Sequence, residues 1–151
     1  MAQRIQLPNS HGQLEGYGLV GTTPIQPKLG IKFNRIAYSA AHVVSNPMAP
    51  NDPWLDCAVD WDATISYRKH LWKLGLGVAE AMDTAQRGMG LDWPTSLTLI
   101  KHSIEASKDV SGAFLASGCG TDHLNLESVS TVDEVIAAYE FQMAAIEKLG
   151  G

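Results

Sequence analysis

The stretch that decides the fold runs from Gly77 to Ser107: a short apolar run, GVAEAM (Gly77–Met82), a polar loop with two glycines, and then LDWPTSLTLIKHSIEAS (Leu91–Ser107). The first part reads as a short buried strand. The last part reads as a helix, with Pro94 in its first turn, where the missing N–H costs nothing. Strand, loop and helix in that order form one β/α unit, and the pattern repeats on both sides. Upstream, RIAYSAAHVV (Arg35–Val44) is strand-like and DWDATISYRKHLWKLG (Asp60–Gly75) helix-like; downstream, SGAFLASG (Ser111–Gly118) is a third strand and STVDEVIAAYEFQMAAIEKLGG (Ser130–Gly151) a third helix. Short apolar strands alternating with helices predict an α/β fold with a parallel sheet that helices must cover.

The helix assignments rest on spacing. Ile65, Leu71, Trp72 and Leu74 recur at helical intervals, with Asp60 placed to cap the first helix. In the third, Val132, Val135, Ile136, Tyr139, Met143 and Ile146 make one apolar face, Ser130 or Thr131 can cap it, and Gly150 closes it. Ahead of these units, RIQLP, NSHG and QLEGYGL read as a β-hairpin about a polar turn. From Val20 to Asn34, Pro and Gly are too dense for a helix and read as a linker. The expected organisation is therefore a hairpin and linker over residues 1–34 and a main domain over 35–151. Three units leave an open doubly wound sheet or the first part of a closed (β/α)8 TIM barrel, whose full length is roughly 250 residues. In either case the last helix ends where another strand should start. The exposed sheet edge then predicts a fragment, a subunit that needs its other part, or association into a homo-oligomer.

Composition excludes several classes. Of 151 residues, 45% are hydrophobic and 18% charged, an ordinary globular balance, and no apolar run approaches the ~18 residues of a membrane span. The opening residues lack the apolar core of a signal peptide, so a cytoplasmic location is expected. A net charge of -5 with 11 scattered Lys and Arg argues against nucleic acid as a partner and for small-molecule chemistry. Cys57 and Cys119 form no CxxC pair and read as reduced thiols. Gly88-Met89-Gly90 lacks the GxGxxG spacing, so no nicotinamide cofactor is expected.

The wording of AHVVSNPMAPNDPWLDCAVDWDATISYRKHLWKLGLGVAEAMDTAQRGMGLDWP, continued by SGCGTDHL, resembles the dihydrodipicolinate synthase-like proteins related to the N-acetylneuraminate lyase superfamily. The likeness covers most of the chain but only the first part of a typical member. Val59-Asp60-Trp61 resembles the Ile-Asp-Phe that opens their first barrel helix. Met82-Asp83-Thr84-Ala85-Gln86 stands where they carry Gly-Thr-Thr-Gly-Glu, a loop that holds a 2-keto acid carboxylate. Thr84 alone is retained there, and the role carries over to it alone. Ala116, Gly118 and Gly120 match the Ala-Gly-x-Gly that ends their third strand. The resemblance implies the first three units of a TIM-barrel lyase or aldolase. Its Schiff-base lysine and tyrosine proton relay belong to later strands.

In such a barrel the reacting groups sit at the C-terminal ends of strands. Candidate catalytic residues there are His42, Glu80, Asp83 and His123, and candidate substrate-binding residues are Thr84, Gln86, Arg87 and Asp122. Arg87 with Thr84 could fork a carboxylate or phosphate, or Arg87 could cap a loop. His123 beside Asp122 has the composition of an acid/base with an orienting carboxylate, and His42 is either a strand-end catalyst or a buried, hydrogen-bonded histidine. Glu80, a carboxylate inside an apolar strand, must meet a reacting group or a cation, and Asp83 either shares that task or forms an ion pair; Arg35, Arg68 and Arg87 are the candidate ion-pair partners for both. Trp54, in a Pro-rich loop, can wall a pocket or clamp a neighbouring subunit.

Three functional readings follow. The first is a lyase or aldolase acting on a 2-keto acid or sugar-derived carbonyl, without a cofactor, through a lysine in later strands, this chain alone being inactive. The second is a metal-dependent lyase or isomerase in which His42, Glu80, Asp83 and His123 share a divalent cation. The third is a non-catalytic fragment or assembly subunit.

Overall fold

The computed structural model describes residues 4–21, 29 and 33–151. The expected linker over Val20–Asn34 falls largely outside the described residues. Two strands, β1 (Arg4–Pro8) and β2 (Leu14–Gly18), pair antiparallel from Arg4↔Gly18 to Pro8↔Leu14. The side chain of Asn9 closes their turn by accepting from the His11 and Gln13 N–H groups at 2.9 and 3.0 Å. Gly12, at φ 73, supplies the left-handed residue that the turn requires.

The main body alternates as the sequence predicts: β3 (Tyr38–Ala40), α1 (Trp61–Lys73), β4 (Gly77–Glu80), α2 (Trp93–Ser107), β5 (Leu115–Ser117) and α3 (Val132–Lys148). The sheet is parallel in the order β3-β4-β5, with Ala40 opposite Ala79 and Glu80 opposite Ser117. Each helix starts on a local cap. Asp60 accepts from Ala63 N–H, Asp92 from Thr95 N–H, and Thr131 forms a capping box with Glu134.

The strands are shorter than expected, for identifiable reasons. The first was expected over Arg35–Val44 but ends at Ala40, because residues 44–46 pair with the approach to α1 instead of with β4. Asp60 N–H donates to Val44 O, Asn46 N–H donates to Ala58 O, and Ser45 bridges Val59 antiparallel. His42 therefore lies beyond the strand and not within it. The second strand stops at Glu80 rather than Met82 because Ala81 turns the chain at φ 51. The third begins only at Leu115, after a turn in which Ala113 N–H reaches Val110 O.

Neighbouring parallel strands joined in sequence by right-handed crossovers place both connecting helices on one face. Accordingly α1 and α2 pack on β4 and on each other, and α3 packs on α2. Val78 and Glu80 point into this helix layer, where Leu71, Trp72 and Ala106 enclose Val78. By alternation and register, Tyr38, Ala40, Ala79 and Ala116 share the other face. That face is largely open: Tyr38 is 47% exposed, and Ala40 and Ala116 are exposed. Among the described residues the sheet is not closed.

The expected apolar face of α3 needs correction. The buried stripe is Ala138, Gln142 and Ile146, whereas Val132, Ile136, Tyr139 and Met143 are exposed. Gln142 turns inward because polar groups of the β4 and β5 loops await it there. No helix of the described residues is long and apolar enough to cross a membrane.

Candidate functional site

The loops that follow β4 and β5 are joined by one side chain, Arg87. Its Nε and Nη2 donate to Asp122 Oδ1 at 3.0 and 2.8 Å, its Nη1 to Gly118 O at 2.6 Å and Ala81 O at 3.3 Å, and its Nη2 also to Gln142 Oε1. Its guanidinium carbon lies 5.1 Å from the Trp93 ring centre. All five donors are thus used inside the chain. Of the two expectations for Arg87, this geometry matches the loop clasp, and it leaves no donor for a substrate anion.

Burial works to raise the Asp122 carboxyl pKa, but hydrogen bonds from Arg87 and Gln142 and the Arg87 charge outweigh it, so the group lies below its ordinary value. Asp122 therefore serves Arg87 and does not orient His123 directly. The orienting residue is Gln142, fully buried on α3. Gly120 N–H donates to its Oε1 at 2.7 Å and Arg87 donates to the same oxygen. With its oxygen so assigned, Nε2 faces Asp122 Oδ1 at 3.1 Å and His123 Nδ1 at 2.7 Å. His123 Nδ1 must then accept, and the neutral ring carries its proton on Nε2. The exposed ring is flanked by Phe141, with centroids 5.0 Å apart, and Trp93 at 6.4 Å. Sequence reasoning placed the neighbours of Gln142 on a helix but missed its role. The available signal was a polar residue four positions from both Ala138 and Ile146.

Glu80 is fully buried and pairs with Arg68. Arg68 Nε and Nη2 reach Oε2 and Oε1 at 2.8 Å each, Ser103 Oγ donates to Oε2, and Ala81 N–H donates to Oε1 at 3.0 Å. The carboxylate lies in the helix layer beneath the sheet with no face open to a ligand. Of its two expectations it meets the ion pair, and Arg68 is the partner. Arg68 also donates to the His42 carbonyl at 2.6 Å, while the His42 ring lies on Tyr67 with centroids 4.9 Å apart. His42 is exposed and not buried, and its ring rests beside α1, away from the His123 cluster. Of the residues considered for a shared cation, Glu80 lies in the helix layer, His42 beside α1 and His123 between α2 and α3, while Asp83 belongs to a 3-10 turn (Asp83–Ala85). Thr84 is exposed in that same turn.

Between Ala81 and Gln86, two residues other than glycine hold positive φ, 51° and 63°. Backbone of this kind is costly and recurs where a loop has a task. Gln86 lines a cavity of about 350 Å3 formed by the β3–α1 and β4–α2 loops, together with Trp54, Asp56 and Leu91. Trp54 lines that cavity with its side chain exposed.

The family described as a protein of unknown function, DUF993, matches the chain over residues 5–151. No curated protein matches it.

Proposed function

We propose that this chain, which belongs to the DUF993 family, is the N-terminal part of a (β/α)8-barrel carbon–carbon lyase acting on a 2-keto acid or sugar-derived carbonyl substrate. The observation that carries the proposal is the one-sided layering of the sheet. A doubly wound fold reverses its strand order and covers both faces with helices, whereas here the order is sequential and the helices share one face. The opposite face bears Tyr38, Ala40, Ala79 and Ala116, side chains suited to the interior of a barrel. The resemblance of the Met82–Gln86 loop to a carboxylate-holding loop supports the lyase chemistry, and the strained residues Ala81 and Gln86 stand just before that segment and at its end.

In this reading Thr84, exposed at the C-terminal edge of β4, meets the substrate. Arg87, Asp122 and Gln142 hold the β4 and β5 loops in register, and His123 offers an Nε2 proton at the rim. The nucleophile is a lysine amine supplied by later strands, because among the described residues Lys69, Lys73, Lys101 and Lys148 lie on helices and Lys108 ends one. Lys28 and Lys32 lie outside the described residues. The test is reductive trapping in a protein that carries the later strands, using pyruvate and a six-carbon 2-keto-3-deoxy sugar acid with borohydride. A lysine adduct with either supports the reading; no adduct with either overturns it.

A further inference from the structure

The cavity between the β3–α1 and β4–α2 loops is built differently from a carboxylate site. Among the described residues, its lining holds one charged side chain, Asp56, and no Lys or Arg. The Asp56 carboxylate has no hydrogen-bond partner among the described residues, and the backbone around it is held: Asp56 N–H reaches Asp52 O at 2.9 Å and Asn51 Nδ2 reaches Asp56 O at 2.7 Å. Trp54 lines the same cavity and is 93% exposed, a large aromatic surface left in water. Its backbone N–H donates to Asp52 Oδ1 at 2.9 Å, which fixes the main chain from which the ring projects. Val59 and Leu91 supply an apolar floor, and the strained Gln86 closes the rim.

We propose that this cavity binds a small organic cation, an amine on an apolar body. Its volume of about 350 Å3 falls in the range of small-molecule sites. An anionic ligand would face Asp56 with no cation to offset the repulsion, while an ammonium meets both the carboxylate and the electron-rich face of an indole. The inference stands apart from the lyase reading, because binding here needs no chemistry and no later strand.

The test uses three probes of one shape and different charge, phenethylamine, 2-phenylethanol and phenylacetate, titrated into the full chain. The indole N–H signal of Trp54, identified by its absence in Trp54→Phe, reports binding by NMR. Phenethylamine is expected to shift it with a Kd about tenfold below that of 2-phenylethanol. Phenylacetate should leave it unmoved. In Asp56→Asn, with the remaining indole signals unchanged to show an intact fold, the amine should fall to the level of the alcohol. Phenylacetate binding as well as the amine, an amine advantage that survives Asp56→Asn, or no shift of Trp54 by any probe would each overturn the proposal.

Discussion

Arg68 and Glu80 meet as a bidentate ion pair, both N···O distances 2.8 Å, with neither side chain exposed to solvent. The pair ties the middle of α1 to the end of β4, and Ser103 adds α2 through the same carboxylate. Removing one charge leaves the other buried without compensation, whereas replacing both by apolar residues of similar volume removes the desolvation cost as well. Glu80→Gln should therefore cost about 3–5 kcal/mol of stability, and Glu80→Met with Arg68→Met much less. Urea denaturation of the three proteins checks this. A double variant as unstable as the single one would show that the pair does more than satisfy itself.

The clasp around Arg87 should make stability depend on acid. The Asp122 pKa is depressed in the folded chain, so its contribution is fully present above the ordinary carboxylate value of 3.8 and is lost as pH falls through the lowered value. Asp122→Asn should flatten that acid limb of the stability curve. Thermal melts between pH 7 and about pH 2, below the ordinary carboxylate range, measure it. Parallel curves for the two proteins would sink the assignment.

Gln142 determines the tautomer of His123. In Gln142→Leu the Gly120 N–H and the Arg87 and Asp122 groups lose a buried partner, at about 1–3 kcal/mol. Side-chain 15N chemical shifts should report His123 protonated at Nε2 in the parent chain near neutral pH and a mixture of tautomers in the variant. An Nδ1–H tautomer in the parent chain would contradict the amide orientation deduced from Gly120 and Arg87.

On its own, the 151-residue chain should trap no pyruvate with borohydride. Among the described residues the lysines lie on the helices that cover one face of the sheet or end one of them, and a Schiff base needs an amine held near the carbonyl in a site that excludes water. Mass spectrometry of the treated chain should show the unmodified mass. A stoichiometric adduct on any lysine would move the active site to a place the strand ends do not predict.

The sequence made some of the candidate site legible. Asp122, His123 and Arg87 stand out by their place after strands, and all three meet in one network. Their division of labour was not legible. Adjacency suggests that Asp122 orients His123, but the two side chains converge on Gln142 Nε2, and the contact between them passes through that residue of another element. A carboxylate in an apolar strand demands a partner, which makes Glu80 legible; which of three arginines answers depends on how α1 packs on β4. The Trp54 and Gln86 cavity joins two loops that spacing alone does not bring together.

The alternation of strands and helices and the start of each helix are legible along the chain, because they depend on interactions within a few residues: Asp60 with Ala63, Asp92 with Thr95, Thr131 with Glu134. Where the strands end, which stripe of α3 is buried, and which polar groups pair follow from packing between elements. Arg68 and Glu80 are 12 positions apart, and Arg87 and Gln142 are 55. A hydrogen-bonding group has several candidate partners at such distances, and burial selects among them by the cost of leaving any one unsatisfied. That cost exists only once the helices have closed over one face of the sheet.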